Sequence, residues 1–166
     1  WLAENDSLSP AAAHNNLGVV LEAMDSLQEA EAQYRLAVEL EPNYADAWFN
    51  LGNLARKQGK RKEALEYYLR ARELEGVTAD VEEARAALLM ELGKPQEAFK
   101  AYSNVLAVDS TAGGALIGAG DALWQQGKKI KARKYYRRYL ECFGTQEAPA
   151  YLLERISRNR TSSGKN

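Results

Sequence analysis

The sequence predicts an all-α fold of repeated helical hairpins, and three observations predict it. First, the chain repeats itself at an interval of 34 residues: QEAEAQY, KEALEYY, QEAFKAY and IKARKYY recur in register, so that Ala30, Ala64, Ala98 and Ala132 align, as do Tyr34, Tyr68, Tyr102 and Tyr136. Second, Trp48, Leu51, Gly52 and Ala55 recur at three- and four-residue steps, and so do Ala64, Tyr68, Ala71 and Leu74; that is the period of an amphipathic helix. Third, helix breakers fall at joints. Gln58-Gly59-Lys60 separates the two halves of one copy, Pro95 stands at a helix start, where its missing N–H is harmless, and Pro42 stands at a helix end.

In this register the copies span 11–44, 45–78, 79–112 and 113–146, each with two antiparallel helices. A helix of about thirteen residues is marginal in water by itself, so stacking of neighbouring hairpins must supply the stability. Gly52 and Ala64 are small where paired helices approach closely, and Tyr68 is large enough to fill the gap between one pair and the next. Residues 1–10 place Leu2-Ala3 one interval before Leu36-Ala37 and are expected to be the remnant of a preceding repeat or an N-terminal cap. At the other end Ala148, Leu152 and Ile156 share one stripe, which predicts a capping helix over 147–160. The polar tail 161–166, TSSGKN, is expected to be disordered. Because the chain starts at Trp1 rather than Met, we expect a processed product or a piece of something longer, with further repeats upstream.

Composition bounds the function classes. Hydrophobic residues make up 46% of the chain, ample for a core, and no run approaches the eighteen or so apolar residues of a membrane span. A soluble protein is expected, cytoplasmic or periplasmic, with the compartment left open. Cys142, the single cysteine, falls on the register position of Leu40 and Leu74 and is expected to be a small buried hydrophobe. His14, the single histidine, takes the position of Trp48 and is expected at a helix–helix contact, with no second histidine to share a metal. The stretch DSTAGGALIGAG imitates a phosphate-binding loop, but Leu123 stands where the third glycine belongs and the register places these glycines on a helix. Gly114 and Gly118 are instead expected to loosen that helix or to leave room for a ligand backbone. No residue advertises catalysis, a metal or a cofactor, so an enzyme is not predicted.

The segment WFNLGNLA from Trp48 to Ala55, followed by KEALEYYLRA to Ala71, resembles the tetratricopeptide repeat. The resemblance covers 11–144 as four repeats, with Glu82 and Arg85 departing from the family's apolar preference in the third. It implies a right-handed α-solenoid of four helical hairpins, first helices lining a concave groove and second helices forming the convex back. Such arrays usually bind other proteins.

Carried over residue by residue, the resemblance lines the groove with Ala12, Asn15, Asn16, Val19 and Glu22, then Asp46, Phe49, Asn50, Asn53 and Arg56. The third copy gives Asp80, Glu83, Ala84, Ala87 and Met90, and the fourth Gly114, Ile117, Gly118, Asp121 and Trp124. These side chains are expected to be free of internal packing. Asn16 and Asn50 stand one interval apart, and an amide can both donate to and accept from an extended peptide backbone. Val19, Phe49, Met90, Ile117 and Trp124 would supply apolar pockets. The pair is similar to the asparagine ladder of O-linked N-acetylglucosamine transferases, with Ala84 and Gly118 replacing the next two rungs. Co-chaperone repeats that grip heat-shock protein carboxyl termini use two lysines, an arginine and two asparagines; of the matching Asn15, Val19, Asn50, Asp80 and Ala84, only Asn50 agrees.

Charge is unevenly placed although the net value is −1. Residues 1–50 hold nine acidic residues against one basic, a balance of −8, and residues 101–166 hold eleven basic against five acidic, a balance of +6. Lys128, Lys129, Lys131, Arg133, Lys134, Arg137 and Arg138 crowd into one second helix, which the resemblance puts on the convex side. A solvated face is the default reading of such a run. The sharper ones are docking on an anionic surface and head-to-tail association with the acidic end of another molecule; nucleic acid is not expected without an overall positive charge. The functional expectation is a scaffold that binds a partner protein or peptide in the groove. The alternatives are a self-associating assembly element, or the recognition module of a larger enzyme.

Overall fold

The computed structural model describes residues 9–76, 78–146 and 148–157. The readings made for 1–8 and for 161–166 lie outside the described residues. Among the described residues there are nine helices and no strand: α1 (Pro10–Ala23), α2 (Leu27–Leu40), α3 (Ala45–Lys57), α4 (Arg61–Glu75), α5 (Ala79–Glu91), α6 (Pro95–Val108), α7 (Gly113–Gln125), α8 (Lys129–Phe143) and α9 (Ala150–Ser157). The chain divides into two compact units, Trp1–Ala84 and Arg85–Asn166, with α5 beginning in the first and ending in the second.

Local chemistry sets the helix ends. Ser9 caps α1, its hydroxyl accepting from the Ala12 amide at 3.1 Å, and Pro10 takes the first helical position. The turns inside the hairpins reverse through a left-handed residue, Gly59, Gly93 and Gly127 at φ of 77°, 70° and 75°. One interval before Gly59 stands Asp25 at φ 61°, the one described non-glycine residue in that region.

In the first unit α1 packs on α2, α3 on α4, and α2 on α3. The core gathers Ala30, Tyr34, Ala37 and Val38 of α2 with Ala47, Leu51 and Leu54 of α3. Glycine makes room for the repeating tyrosines: a Cβ on Gly18 would fall 2.6 Å from the Tyr34 ring, and one on Gly52 would fall 2.5 Å from the Tyr68 ring. Carbon atoms at rest stand about 3.5–4.0 Å apart, so only a bare backbone admits these rings. Glu82 on α5 is fully buried beside the Arg72 guanidinium, with 2.7 Å between Glu82 Oε1 and Arg72 Nε, a close ion contact rather than an aligned hydrogen bond. The departure at Glu82 therefore leaves α5 helical, because the buried carboxylate has a cation against it.

In the second unit α6 packs on α7, α7 on α8, and α8 on α9. Its core joins Leu116, Leu123, Ala132, Tyr136 and Tyr139 to Leu152 of α9, with Ala148 and Ile156 partly buried beside them. Tyr136 lies against Gly120 as Tyr34 lies against Gly18. The third copy breaks the pattern, having Ala86 where the others have glycine, and the Tyr102 ring sits against Gly118 instead. Gly118 thus serves an internal aromatic ring rather than a ligand backbone. All four register tyrosines are buried.

Candidate functional site

In the first unit the residues expected to line a groove come from α1 and α3. Asn15 is only 5% exposed and both ends of its amide are engaged. Its Nδ2 donates to the Tyr44 hydroxyl at 3.5 Å, and its Oδ1 accepts from Asn50 Nδ2 at 2.9 Å. That bond fixes the Asn50 amide and leaves Asn50 Oδ1 without an internal partner among the described residues. Asn16 and Val19 are exposed. Val19 and Asn50, with Glu22, Ala23, Tyr34 and Lys57, line an open depression of about 330 Å³. Its rim carries charge of both signs, Lys57 Nζ standing 3.8 Å from Glu22 and 3.9 Å from Asp25.

The expectation that these positions stay out of internal packing is corrected at several of them. Asn53 Oδ1 accepts from the Tyr68 hydroxyl at 2.7 Å, and Phe49 packs against the Tyr68 ring with 5.8 Å between centroids. A buried phenol needs an acceptor, and in the first copy the position of Asn53 holds Val19, which has none. There the Tyr34 hydroxyl reaches Glu22 Oε2 at 3.2 Å, one turn farther along α1. Burial, reinforced by the Glu22 charge, pushes the Tyr34 phenol well above its ordinary value. Arg56 and Glu83 are half-buried and engaged with neighbours.

In the second unit Asp121 of α7 is the hub. Its Oδ1 accepts from the Tyr136 hydroxyl at 2.8 Å and from Arg155 Nη1 at 2.5 Å, and its Oδ2 accepts from the Tyr151 hydroxyl at 2.8 Å. The Arg155 guanidinium lies 4.8 Å from the Trp124 ring centroid and 4.5 Å from that of Tyr151, a cation held between aromatic faces. Burial first, then the bonds to Asp121, push the Tyr136 and Tyr151 phenols well above the ordinary range. Asp121 and Trp124 therefore hold α9 in place. Ile117 and Met90 are partly buried, Ile117 against the core of this unit.

The basic run on α8 separates into two kinds of residue. Arg133 is buried, its Nε donating to the Arg155 carbonyl at 2.8 Å, and so belongs to the docking of α9 rather than to a solvated patch. Lys128, which stands at the N-cap just ahead of α8 rather than within the helix, and Lys129, Lys131, Lys134, Arg137 and Arg138 are exposed. Cys142 is exposed too, against the expectation of burial; the last turn of α8 turns that register position outward. His14 joins α1 to α2 through Nδ1 and Gln33 Oε1 at 2.7 Å, as its position predicts. No group of histidine, cysteine or acidic residues suited to a metal occurs among the described residues, and no described helix is long and apolar enough to cross a membrane. Sequence reasoning passed over Tyr44 and Arg155, because a tyrosine just ahead of a helix and an arginine on a short terminal helix carry no periodic signal.

Comparison with known proteins identifies the family and the fold. Sequence profiles described as tetratricopeptide repeat match residues 9–74 and 81–150. The chain belongs to the tetratricopeptide repeat family, whose members are typically protein-interaction modules. No curated protein matches its sequence. Among solved structures it is similar to YrrB, described as a tetratricopeptide repeat protein with an unusual peptide-binding site, at TM-score 0.73 and 22% identity over 80% of this chain and 69% of that one. MamA from Desulfovibrio magneticus RS-1 superposes at TM-score 0.82 with 14% identity, over 93% of this chain and 88% of the other. PilF of Pseudomonas aeruginosa gives TM-score 0.76 with 20% identity, over 95% and 78%. At these identities the likeness is one of fold.

Proposed function

We propose that the chain is a binding scaffold that holds an extended segment of a partner protein on the α1–α3 face of its first unit. The observation that carries this reading is the open depression beside Asn50, whose amide is anchored by Asn15 and keeps a free oxygen, with exposed Asn16 and Val19 on α1. A fixed carbonyl acceptor and a nearby amide suit the N–H and C=O groups of a peptide main chain, and Val19 offers an apolar contact for a side chain. Glu22 and Lys57 at the rim would orient charged groups of the guest. Phe49 and Asn53 support this face through Tyr68, by ring contact and by hydrogen bond. The peptide-binding site ascribed to YrrB supports the same class of ligand. In the second unit Ile117, Asp121, Trp124 and Met90 form a separate candidate surface, of which Asp121 and Trp124 are engaged by α9.

The test begins with peptides selected on the purified chain from a random displayed library. Asn16→Ala is the clean variant, since Asn16 is exposed and makes no internal bond among the described residues, and it should weaken binding of the selected peptides about fivefold, the worth of roughly one hydrogen bond. Unchanged affinity in Asn16→Ala and in Val19→Ser would refute the placement of the site.

A further inference from the structure

Helix α8 turns Ile130, Lys131, Lys134, Arg137 and Arg138 toward solvent. At about 100° per residue these five side chains fall within an arc of about 120°, and they run along about 12 Å of the helix. The earlier second helices do not look like this. Where α8 has Lys131, they carry Glu29, Glu63 and Glu97, the sign a helix N-terminus favours. Several of the cations on or just ahead of these helices are also paired: Arg35 with Glu31 at 2.9 Å, Arg70 with Glu73 at 3.2 Å, and Lys94, at the N-cap of α6, with Glu97 at 3.1 Å. In α8 no ion pair among the described residues joins Lys131, Lys134, Arg137 or Arg138 to a carboxylate. One fold accepts the balanced face three times, so packing does not demand the unbalanced one. In the midst of these cations Ile130 is 73% exposed.

The same face narrows the class of anion. The two rings beside it carry cations, Lys129 lying 5.4 Å from the Trp124 centroid and Arg138 5.9 Å from that of Tyr135, so neither is a bare platform for stacking bases. A single apolar side chain is too little for the core of a protein–protein interface. It does suit a bilayer, where basic heads sit at the phosphates and one aliphatic chain reaches below them. We propose that this face of α8 docks on an anionic phospholipid surface, with Lys131, Lys134, Arg137 and Arg138 at the headgroups and Ile130 inserted between them.

Vesicle co-sedimentation of the full chain tests this. At about 0.1 M salt, where charges act over about 10 Å, the protein should pellet with phosphatidylcholine vesicles containing phosphatidylglycerol and stay in solution with pure phosphatidylcholine. Lys134→Glu together with Arg137→Glu should lower the partition at least about tenfold, since each basic group near such a surface is worth about fivefold. Ile130→Ser retains every charge at a solvent-exposed position, and it should weaken binding while leaving the thermal unfolding midpoint in place. Equal partition onto both vesicle types, undiminished binding by the double variant, or salt-sensitive self-association in place of vesicle binding would each overturn the proposal.

Discussion

Replacing Gly52 with alanine sets two effects of known sign against each other. Alanine in a helix interior is favoured over glycine by about 1 kcal/mol. Against that, the new Cβ would fall 2.5 Å from both Cδ1 and Cε1 of Tyr68, about 1 Å inside contact distance. The ring cannot slide away cheaply, being fully buried, bonded through its hydroxyl to Asn53 at 2.7 Å and backed by Phe49. Overpacking of this kind costs about 1–3 kcal/mol, so the net expectation is a loss of about 1 kcal/mol. With a urea slope of about 2 kcal/mol per molar, the unfolding midpoint should drop by about 0.5 M. In a Tyr68→Leu background the shorter side chain removes the clash, and Gly52→Ala should then raise the midpoint. A rise already in the otherwise unaltered protein would refute the argument that the glycines exist to admit the tyrosine rings.

Two further expectations concern the backbone and the phenols. Asp25 occupies a left-handed conformation that the equivalent Gly59, Gly93 and Gly127 adopt without strain, so Asp25→Gly should stabilise the chain by about 0.5–1 kcal/mol, read from the urea midpoint. Tyr34, Tyr44, Tyr136 and Tyr151 have phenols raised chiefly by burial, so their contribution to stability is fully present below the unfolded-state value of about 10 and is lost as pH rises beyond it. The thermal midpoint should hold steady through neutral pH and fall above about pH 10, with tyrosinate absorbance appearing together with unfolding.

The helical pairs were legible because packing inside a repeat is periodic: the alanine at Ala64 and the tyrosine at Tyr68 recur in all four copies, and the glycine at Gly59 recurs in the third and fourth, with Asp25 in its place in the first. The site was legible only in outline. Asn15 and Asn50 were found by register, yet register does not say that they bond to each other, and it placed Asn53 and Asp121 in a binding role when a buried tyrosine hydroxyl claims each. The third copy shows the limit. Once Ala86 takes the place of a glycine, the Tyr102 ring has to find room at Gly118, a compensation between copies that alignment of single positions does not express. The Asn50–Asn15 bond also changes how a variant should be read. Asn50→Ala would strand a buried Asn15 oxygen at a cost of about 1–3 kcal/mol to the fold, so Asn16 is the residue on which binding and stability separate.

The position of a bound guest peptide is decisive for the α1–α3 face. Amide shift mapping of the isotope-labelled chain, titrated with a peptide selected on it, should concentrate its perturbations at Asn16, Val19, Phe49 and Asn50. Perturbations gathered on α2 and α4, with those four amides unmoved, would contradict the assignment of the α1–α3 face as the binding site.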